Sequence, residues 1–205
     1  MLESAGYALV ALLVIFDPPG TAAIFVAMTP GDSLAQRRRQ ALRAVAIAFA
    51  VLVTFALTGS WLLRAMGIGL PALQVAGGLL LFLLAADMVM GRHVLRATPE
   101  EERAAARQED ISVFPLAIPL LAGPGAMTSL VLLREQAAGE PLRILGLLLA
   151  LVTALGVTLA ALLAAGRVTR LLGTTGAHVI GRVLGVLLAA LAAQFVLDGL
   201  RAGLG

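Results

Sequence analysis

The sequence predicts an all-α membrane protein with six transmembrane helices, arranged as two inverted three-helix repeats. Composition, the number of apolar segments and an internal repeat lead to this prediction. The chain has 205 residues, of which 60% are hydrophobic and 13% are charged, whereas a soluble domain carries roughly 25% charged residues. Its mean hydropathy is +0.99. The composition therefore predicts a protein that lies in the lipid bilayer and has lipid as a partner.

Six apolar segments are long enough to cross a hydrocarbon core, which takes about 20 helical residues. They cover residues 5–28, 44–63, 72–90, 111–133, 144–166 and 177–200. The first segment has no basic region before it and no small-residue cleavage site after it. We therefore expect it to remain in the protein as a span and not to be removed as a signal peptide.

Sequence motifs recur between the two halves of the chain. A Val-x-Gly motif at residues 75–77 returns at 179–181, and a Pro-Gly pair at residues 19–20 returns at 124–125. The recurrence predicts a duplicated unit of three spans. Because three is an odd number, the two copies must insert in opposite directions, which is the inverted-repeat architecture.

The repeat divides the chain into residues 1–90, a linker at 91–110, and residues 111–205. All fifteen basic residues are arginines. The loops after spans 1, 3 and 5 hold most of them: Arg37, Arg38, Arg39, Arg43, Arg92, Arg96, Arg103, Arg107, Arg167 and Arg170. The opposite face holds Arg64, Arg134, Arg143 and Arg201. The positive-inside rule therefore predicts a cytoplasmic linker and both termini outside.

Spans 1 and 4 are expected to be broken near the midplane of the bilayer. Span 1 contains Asp17-Pro18-Pro19-Gly20, and span 4 contains Gly123-Pro124-Gly125. Proline removes a backbone donor and clashes with the preceding turn. Backbone groups released at membrane depth are tolerated only where they face protein or a polar cavity. Interrupted helices in corresponding positions of two halves are the strongest sequence indication of a transporter binding site.

The predicted substrate-binding residues lie at these two breaks. They are Phe16, Asp17, Gly20, Thr21, Ala122, Gly123, Gly125, Thr128 and Ser129. A buried acid in a span is expected to be functional, because a charge is costly there. Asp17 is predicted to bind a substrate ammonium, a coupling cation or a proton, or to cap the following half-helix, and these roles are compatible. The glycines would offer bare amides to a carboxylate.

Several function classes are not supported by the sequence. It has no His-Glu-x-x-His, Gly-x-Ser-x-Gly or Walker A motif, which predicts a protein that is not an enzyme and is not an ATP-driven pump. There is no cysteine, so disulfides and thiolate metal sites are excluded. No metal site and no cofactor are predicted. The net charge of +3 comes without a basic stripe interleaved with aromatic residues, so nucleic-acid binding is not expected.

Two motifs in this six-span chain resemble those of the MarC family. They are Phe16-Asp17-Pro18-Pro19-Gly20 and the proline-rich segment at residues 115–126, with its Leu-Ala-Gly-Pro-Gly-Ala ending. The resemblance covers essentially the whole chain. It implies a six-helix protein of the bacterial or archaeal inner membrane that moves small neutral amino acids such as glycine or alanine, as SnatA-type transporters do.

The sequence therefore favours a secondary transporter of a small zwitterion, with a proton or a cation as a coupling partner. Two other classes stay open: a channel for ions or small solutes that uses the same broken helices, and a non-transporting membrane scaffold. The sequence does not distinguish import from export, and it does not give the oligomeric state.

Overall fold

The chain folds into a bundle of helices. A computed structural model describes residues 2–29, 31–90, 110–137 and 140–204, and the regular secondary structure within these ranges is entirely helical. The segments are α1 (Leu2–Phe16), α2 (Pro18–Met28), α3 (Leu34–Ala65), α4 (Leu70–Met90), α5 (Ser112–Leu121), α6 (Pro124–Gln136), α7 (Pro141–Leu163) and α8 (Ala165–Leu204). Most of the predicted linker lies outside the described residues.

Within the described ranges, five stretches are long and apolar enough to span a membrane. They are Ala5–Met28, Leu34–Ala65, Leu70–Met90, Pro141–Leu163 and Val179–Leu204. Helices α5 and α6 form a sixth candidate if the pair, which is bent by 54°, counts as one span. An all-helical protein with five or six spans is thus shown. The inverted relation of the halves stays a prediction.

The span formed by α1 and α2 lies in the interior of the bundle. Of its apolar window 56% is buried, against 22–39% for the long helices α3, α4, α7 and α8. Segment α5 is also interior, because Leu116, Ala117 and Leu121 have no exposed surface. The long helices instead expose large apolar side chains such as Leu57 and Trp61. Apolar surface of this extent indicates contact with lipid.

The main helix contacts join one half of the chain to the other. Helix α1 packs chiefly on α7, and α2 packs on α7 and α8. In the same way, α5 packs on α3, and α6 packs on α3 and α4. The most extensive contact is between α4 and α8. Each proline-containing span is therefore buried mainly against the long helices of the other half.

Small residues allow α4 and α8 to approach each other closely. A Cβ atom on Gly78 would lie 2.8 Å from the carbonyl oxygen of Ala192, and one on Gly185 would lie 2.8 Å from the Cβ of Met88. Such close approach of helix backbones is typical of membrane proteins, where packing replaces the hydrophobic effect. The contact therefore fixes the outer frame that surrounds the interior spans.

Two segments that the sequence predicts as loops are helical. The arginine-rich stretch at residues 29–43 belongs mostly to α3, which begins with a capping box between Ser33 and Gln36. Arginine, glutamine and alanine favour helix, so the polar composition does not stop the chain from winding. The predicted loop at residues 167–176 likewise lies within α8. Helices α3 and α8 therefore continue beyond their apolar segments into the neighbouring polar residues.

An ion pair joins the N-terminal part of α3 to the beginning of α5. The guanidinium of Arg43 lies 2.5 Å from the carboxylate of Asp110, and both side chains are about half exposed. Hydrogen bonding from Ser112 and the neighbouring Arg43 hold the pKa of Asp110 below its ordinary value. A lowered carboxyl pKa contributes stability at pH values above the unfolded pKa, and that contribution is lost as the pH falls through the folded pKa.

Candidate functional site

The first interruption is a single residue between two helices. Helix α1 ends at Phe16 and α2 begins at Pro18, and Asp17 between them has φ 43° and ψ 66°. This left-handed conformation is rare for residues other than glycine, but asparagine and aspartate tolerate it best. The Asp17 Oδ1 accepts a hydrogen bond of 3.2 Å from the amide of Gly20. Asp17 therefore caps α2, and it does so with only 1% of its surface exposed.

The two prolines remove the regular partners of two carbonyl groups. In a helix, the carbonyl of residue i accepts from the amide of residue i+4. Pro18 and Pro19 have no N–H, so the carbonyls of Val14 and Ile15 lack these donors. Both residues are buried. The last turn of α1 thus has backbone acceptors without their regular helical donors in a buried part of the bundle.

The Phe16 carbonyl is in a different situation. The Thr21 hydroxyl donates to it at 2.6 Å, and both side chains are buried. A carbonyl oxygen has two lone pairs, so this bond uses part of its capacity. The interaction gives Thr21 a local structural role, because it satisfies a carbonyl whose i+4 amide, that of Gly20, turns to Asp17 instead.

The second interruption is longer and less regular. Segment α5 is not a regular helix, because Phe114 and Ile118 within it have extended backbone angles. Each precedes a proline, and a proline disfavours the helical region for the residue before it. The amides of Leu116 and Ala122 donate to the carbonyls five residues before them. The peptide bonds Phe114–Pro115 and Ile118–Pro119 are cis. A regular helix resumes only at Pro124, after Ala122 and Gly123.

Helix α6 begins with amides that no side chain caps. Its N-cap is Gly123, which has no side chain to accept a hydrogen bond. The amide of Met127 donates to the Gly123 carbonyl at 3.0 Å, and within the described residues the amides of Gly125 and Ala126 have no such acceptor, as expected for a first turn. The start of α6 therefore offers N–H groups and the positive end of a helix dipole.

The polar side chains of α6 are buried below this turn. The Thr128 hydroxyl donates to the Pro124 carbonyl at 2.9 Å, and its methyl group packs directly on the backbone of Gly77. The Ser129 hydroxyl is fully buried and has no hydrogen-bond partner within the described residues. A buried polar group without a partner is costly. Ser129 is therefore the α6 side chain that is available to a ligand.

Gly123 is required by a close backbone contact, whereas Gly125 faces the end of a side chain. A Cβ on Gly123 would lie 2.5 Å from the carbonyl oxygen of Pro119, and a Cβ on Gly125 would meet the side chain of Leu81. Gly20, in contrast, contributes its backbone amide, which donates a hydrogen bond to the Asp17 carboxylate. The glycines predicted from the sequence thus belong to the backbone geometry of the two interruptions.

The nine predicted residues form two local sets within one core. Phe16 at the end of α1 and Ala122 before α6 belong to the same buried cluster, and α1 and α6 are in contact. Val14, Ile15 and Ala126 were not predicted as site residues. The signal for the first two is present in the sequence, because consecutive prolines release the carbonyls four residues before them. Ala126 could have been found from its place in the first turn of α6.

This geometry defines a class: a multi-pass helical membrane protein with two proline-interrupted segments in its interior. The model of the MarC family of integral membrane proteins matches residues 2–204. The chain belongs to the MarC family, as the two motifs predict.

Relatives in archaea and bacteria align along nearly their full length. The chain is 36% identical over 190 residues to the UPF0056 membrane protein MJ1677 of Methanocaldococcus jannaschii, which covers 93% of this chain and 92% of the relative. It is 34% identical over 194 residues to the UPF0056 inner membrane protein YhgN of Escherichia coli K12, covering 95% and 94%. No solved structure matches the chain.

Proposed function

We propose that this protein is a secondary transporter of small neutral amino acids of the glycine or alanine type. The observation that carries the proposal is the interior position of two interruptions with opposite polarity. Acceptors and a carboxylate lie at the first, and uncapped amides lie at the second. Irregular backbone at membrane depth is expected only where it is buried in protein or lines a cavity. Such positions are where transporters bind substrate.

The first interruption suits the ammonium group of a zwitterion. An ammonium needs up to three acceptors, and the carbonyls of Val14 and Ile15 and the carboxylate of Asp17 supply acceptors on one side of the break. A coupling proton or a small cation would be attracted by the same groups.

The second interruption suits the carboxylate group. The amides of Gly125 and Ala126 point out of the start of α6, where the helix dipole favours an anion. The Ser129 hydroxyl adds a donor that has no partner among the residues that the structure describes. A ligand with one positive and one negative group would satisfy both interruptions, whereas an ion of either sign would satisfy one.

Burial restricts the size and the side chain of the substrate. Among the residues whose side chains the structure describes, Asp17 is the one buried charged residue. Within this set, a charged substrate side chain would therefore meet no other fully buried charge. Phe16 and Ala122 are almost completely buried, so the interruptions must be uncovered before a substrate enters. A small neutral amino acid therefore fits this site better than a sugar or a nucleotide.

The exchange of contacts between halves supports the inverted-repeat architecture. Helices α1 and α2 pack on α7 and α8, and α5 and α6 pack on α3 and α4. The two sets of contacts correspond if the halves are exchanged, as a pseudo-two-fold axis would require. Alternating access would then be a movement of the interrupted spans against the outer helices.

Uptake into proteoliposomes tests this function. The purified protein is reconstituted, and labelled glycine, alanine, glutamate and arginine are supplied with and without a pH gradient. Saturable uptake and counterflow of glycine or alanine, without uptake of the charged amino acids, is the expected result. Single-channel current without counterflow would favour a channel. The absence of both, with an intact fold, would favour a scaffold.

We also propose an orientation in the inner membrane, with both termini outside. Because the chain has no cysteine, single cysteines can be placed at the two ends of α3, at Ser33 and Met66, which are both exposed. In intact bacterial cells, an impermeant thiol reagent is expected to label Met66→Cys and not Ser33→Cys. Labelling of Ser33→Cys alone would reverse the topology. In permeabilised cells both variants should react.

A further inference from the structure

An open, shallow groove runs along the first turns of α3. It has a volume of about 740 Å³ and is lined by Leu34, Ala35, Arg38, Arg39, Leu42 and Arg43. Residues four apart form ridges on a helix surface. Leu34, Arg38 and Leu42 form one ridge, and Ala35, Arg39 and Arg43 form the next. The groove therefore combines guanidinium groups with apolar side chains along one face of α3.

One of the three arginines that line the groove is held in an ion pair. Arg43 pairs with Asp110, and neighbouring Arg37, outside the lining, donates to the Thr29 carbonyl at 3.1 Å. Arg38 and Arg39 are exposed, and neither has an ion-pair partner within the part of the chain that the structure describes. Two guanidinium groups on adjacent ridges are thus available to an anion. Guanidinium groups bind phosphate oxygens through paired hydrogen bonds.

The groove continues into the lipid-facing surface of the same helix. Leu42, Phe49 and Leu57 are exposed apolar residues at spacings of seven and eight, which place them on one face of α3. Helix α3 has 32 residues and is about 48 Å long at 1.5 Å per residue, which exceeds the roughly 30 Å hydrocarbon core. The arginines precede the apolar part of the helix, so they are expected at the level of the lipid headgroups.

We propose that this groove binds the phosphate group of an anionic phospholipid. Arg38 and Arg39 hold the phosphate, and the acyl chain lies along Leu42 and Phe49. Basic pockets at the cytoplasmic side of membrane proteins bind anionic headgroups through this chemistry. A soluble phosphate would use the two arginines alone. The apolar residues that flank and follow the arginines favour a lipid over a free anion.

Native mass spectrometry of the purified protein in detergent tests the proposal. Phosphatidylglycerol and phosphatidylcholine with identical acyl chains are titrated, and bound lipid is counted. Wild-type protein is expected to retain phosphatidylglycerol several-fold better than phosphatidylcholine. The Arg38→Gln/Arg39→Gln variant should lose this preference, with an unchanged thermal unfolding midpoint, since both residues are exposed.

A matched pair of arginines controls for net charge. Arg64 and Arg201 are exposed at other positions of the bundle, and Arg64→Gln/Arg201→Gln should keep the preference. If both double variants lose it equally, the effect is one of net charge and the proposal is wrong. It is also wrong if Arg38→Gln/Arg39→Gln keeps the preference.

A variant in the apolar part separates lipid from a soluble anion. Leu42→Ser should reduce retention of phosphatidylglycerol at least twofold, and glycerol 3-phosphate in excess should compete weakly. Full competition by glycerol 3-phosphate, together with unchanged retention by Leu42→Ser, would show an anion site without a lipid component and would overturn the proposal. This test does not depend on whether the protein transports amino acids.

Discussion

Replacement of Asp17 by asparagine is expected to reduce glycine or alanine uptake about tenfold or more while the fold is retained. The asparagine side chain can accept the hydrogen bond from Gly20 and tolerates the left-handed backbone at this position. What is lost is the charge. A hydrogen bond to a charged group contributes roughly 1.5–3 kcal/mol, which corresponds to about a tenfold or larger change in binding. The measurement is initial uptake rate in proteoliposomes, with thermal unfolding in detergent.

Two further variants separate the charge from the cap. Asp17→Gly keeps the backbone conformation and removes both the cap and the charge, so it should lose uptake and lose a little stability as well. Asp198→Asn removes a carboxylate that lies on the surface beside Arg201 and should transport normally. If Asp17→Asn transports at the wild-type rate, Asp17 is a structural cap and the proposed ammonium site must lie elsewhere.

Replacement of Gly123 by alanine is expected to lower the free energy of unfolding by about 1–3 kcal/mol, the usual cost of adding a methyl group to a filled site. The backbone angles at Gly123, φ −77° and ψ 168°, are accessible to any residue. The cause is instead the new Cβ, which would lie 2.5 Å from the Pro119 carbonyl oxygen. Because backbone must move to relieve this contact, the uncapped amides of α6 should shift, and uptake should fall with stability.

Gly156 provides the matched control for this substitution. A Cβ there meets no atom within 4 Å, and alanine is preferred over glycine within a helix by up to about 1 kcal/mol. Gly156→Ala in α7 should therefore be neutral or stabilising and should transport normally. The two alanine variants are expected to differ in the sign of their effect on the denaturation midpoint. Equal midpoints would mean that the turn between Pro119 and Gly123 is not as tight as the structure has it.

The sequence predicts six spans, and the described residues contain five, or six if the bent pair of α5 and α6 is one span. Breaks near the midplane of the bilayer stay a prediction. Proline and aspartate at residues 17–19 act locally, so their effect on α1 and α2 can be predicted from neighbouring residues. The spacing of prolines at residues 115 and 119 also indicates an irregular segment, but it does not predict the extended backbone at Phe114 and Ile118 within α5.

Helix boundaries and long-range packing were not predictable in the same way. The arginine-rich start of α3 was predicted to be a loop because its composition is polar, although arginine and glutamine favour helix. The packing of α1 on α7 and of α5 on α3 joins residues far apart in the chain, and apolar periodicity contains no information about which surfaces meet. The carbonyls of Val14 and Ile15 were predictable, since their loss of partners follows from the two prolines.

Each half of the chain covers the proline-containing span of the other half. This packing has consequences for the evolution of the protein and for the stability of separately expressed halves. A three-helix fragment containing α1 to α4 would leave its proline-interrupted helix without the surface that covers it, because that surface is supplied by α7 and α8. If the protein descends from a shorter ancestor by gene duplication, that ancestor would have needed a second copy of itself to cover this helix. Separately expressed halves would then be degraded singly and rescued by co-expression.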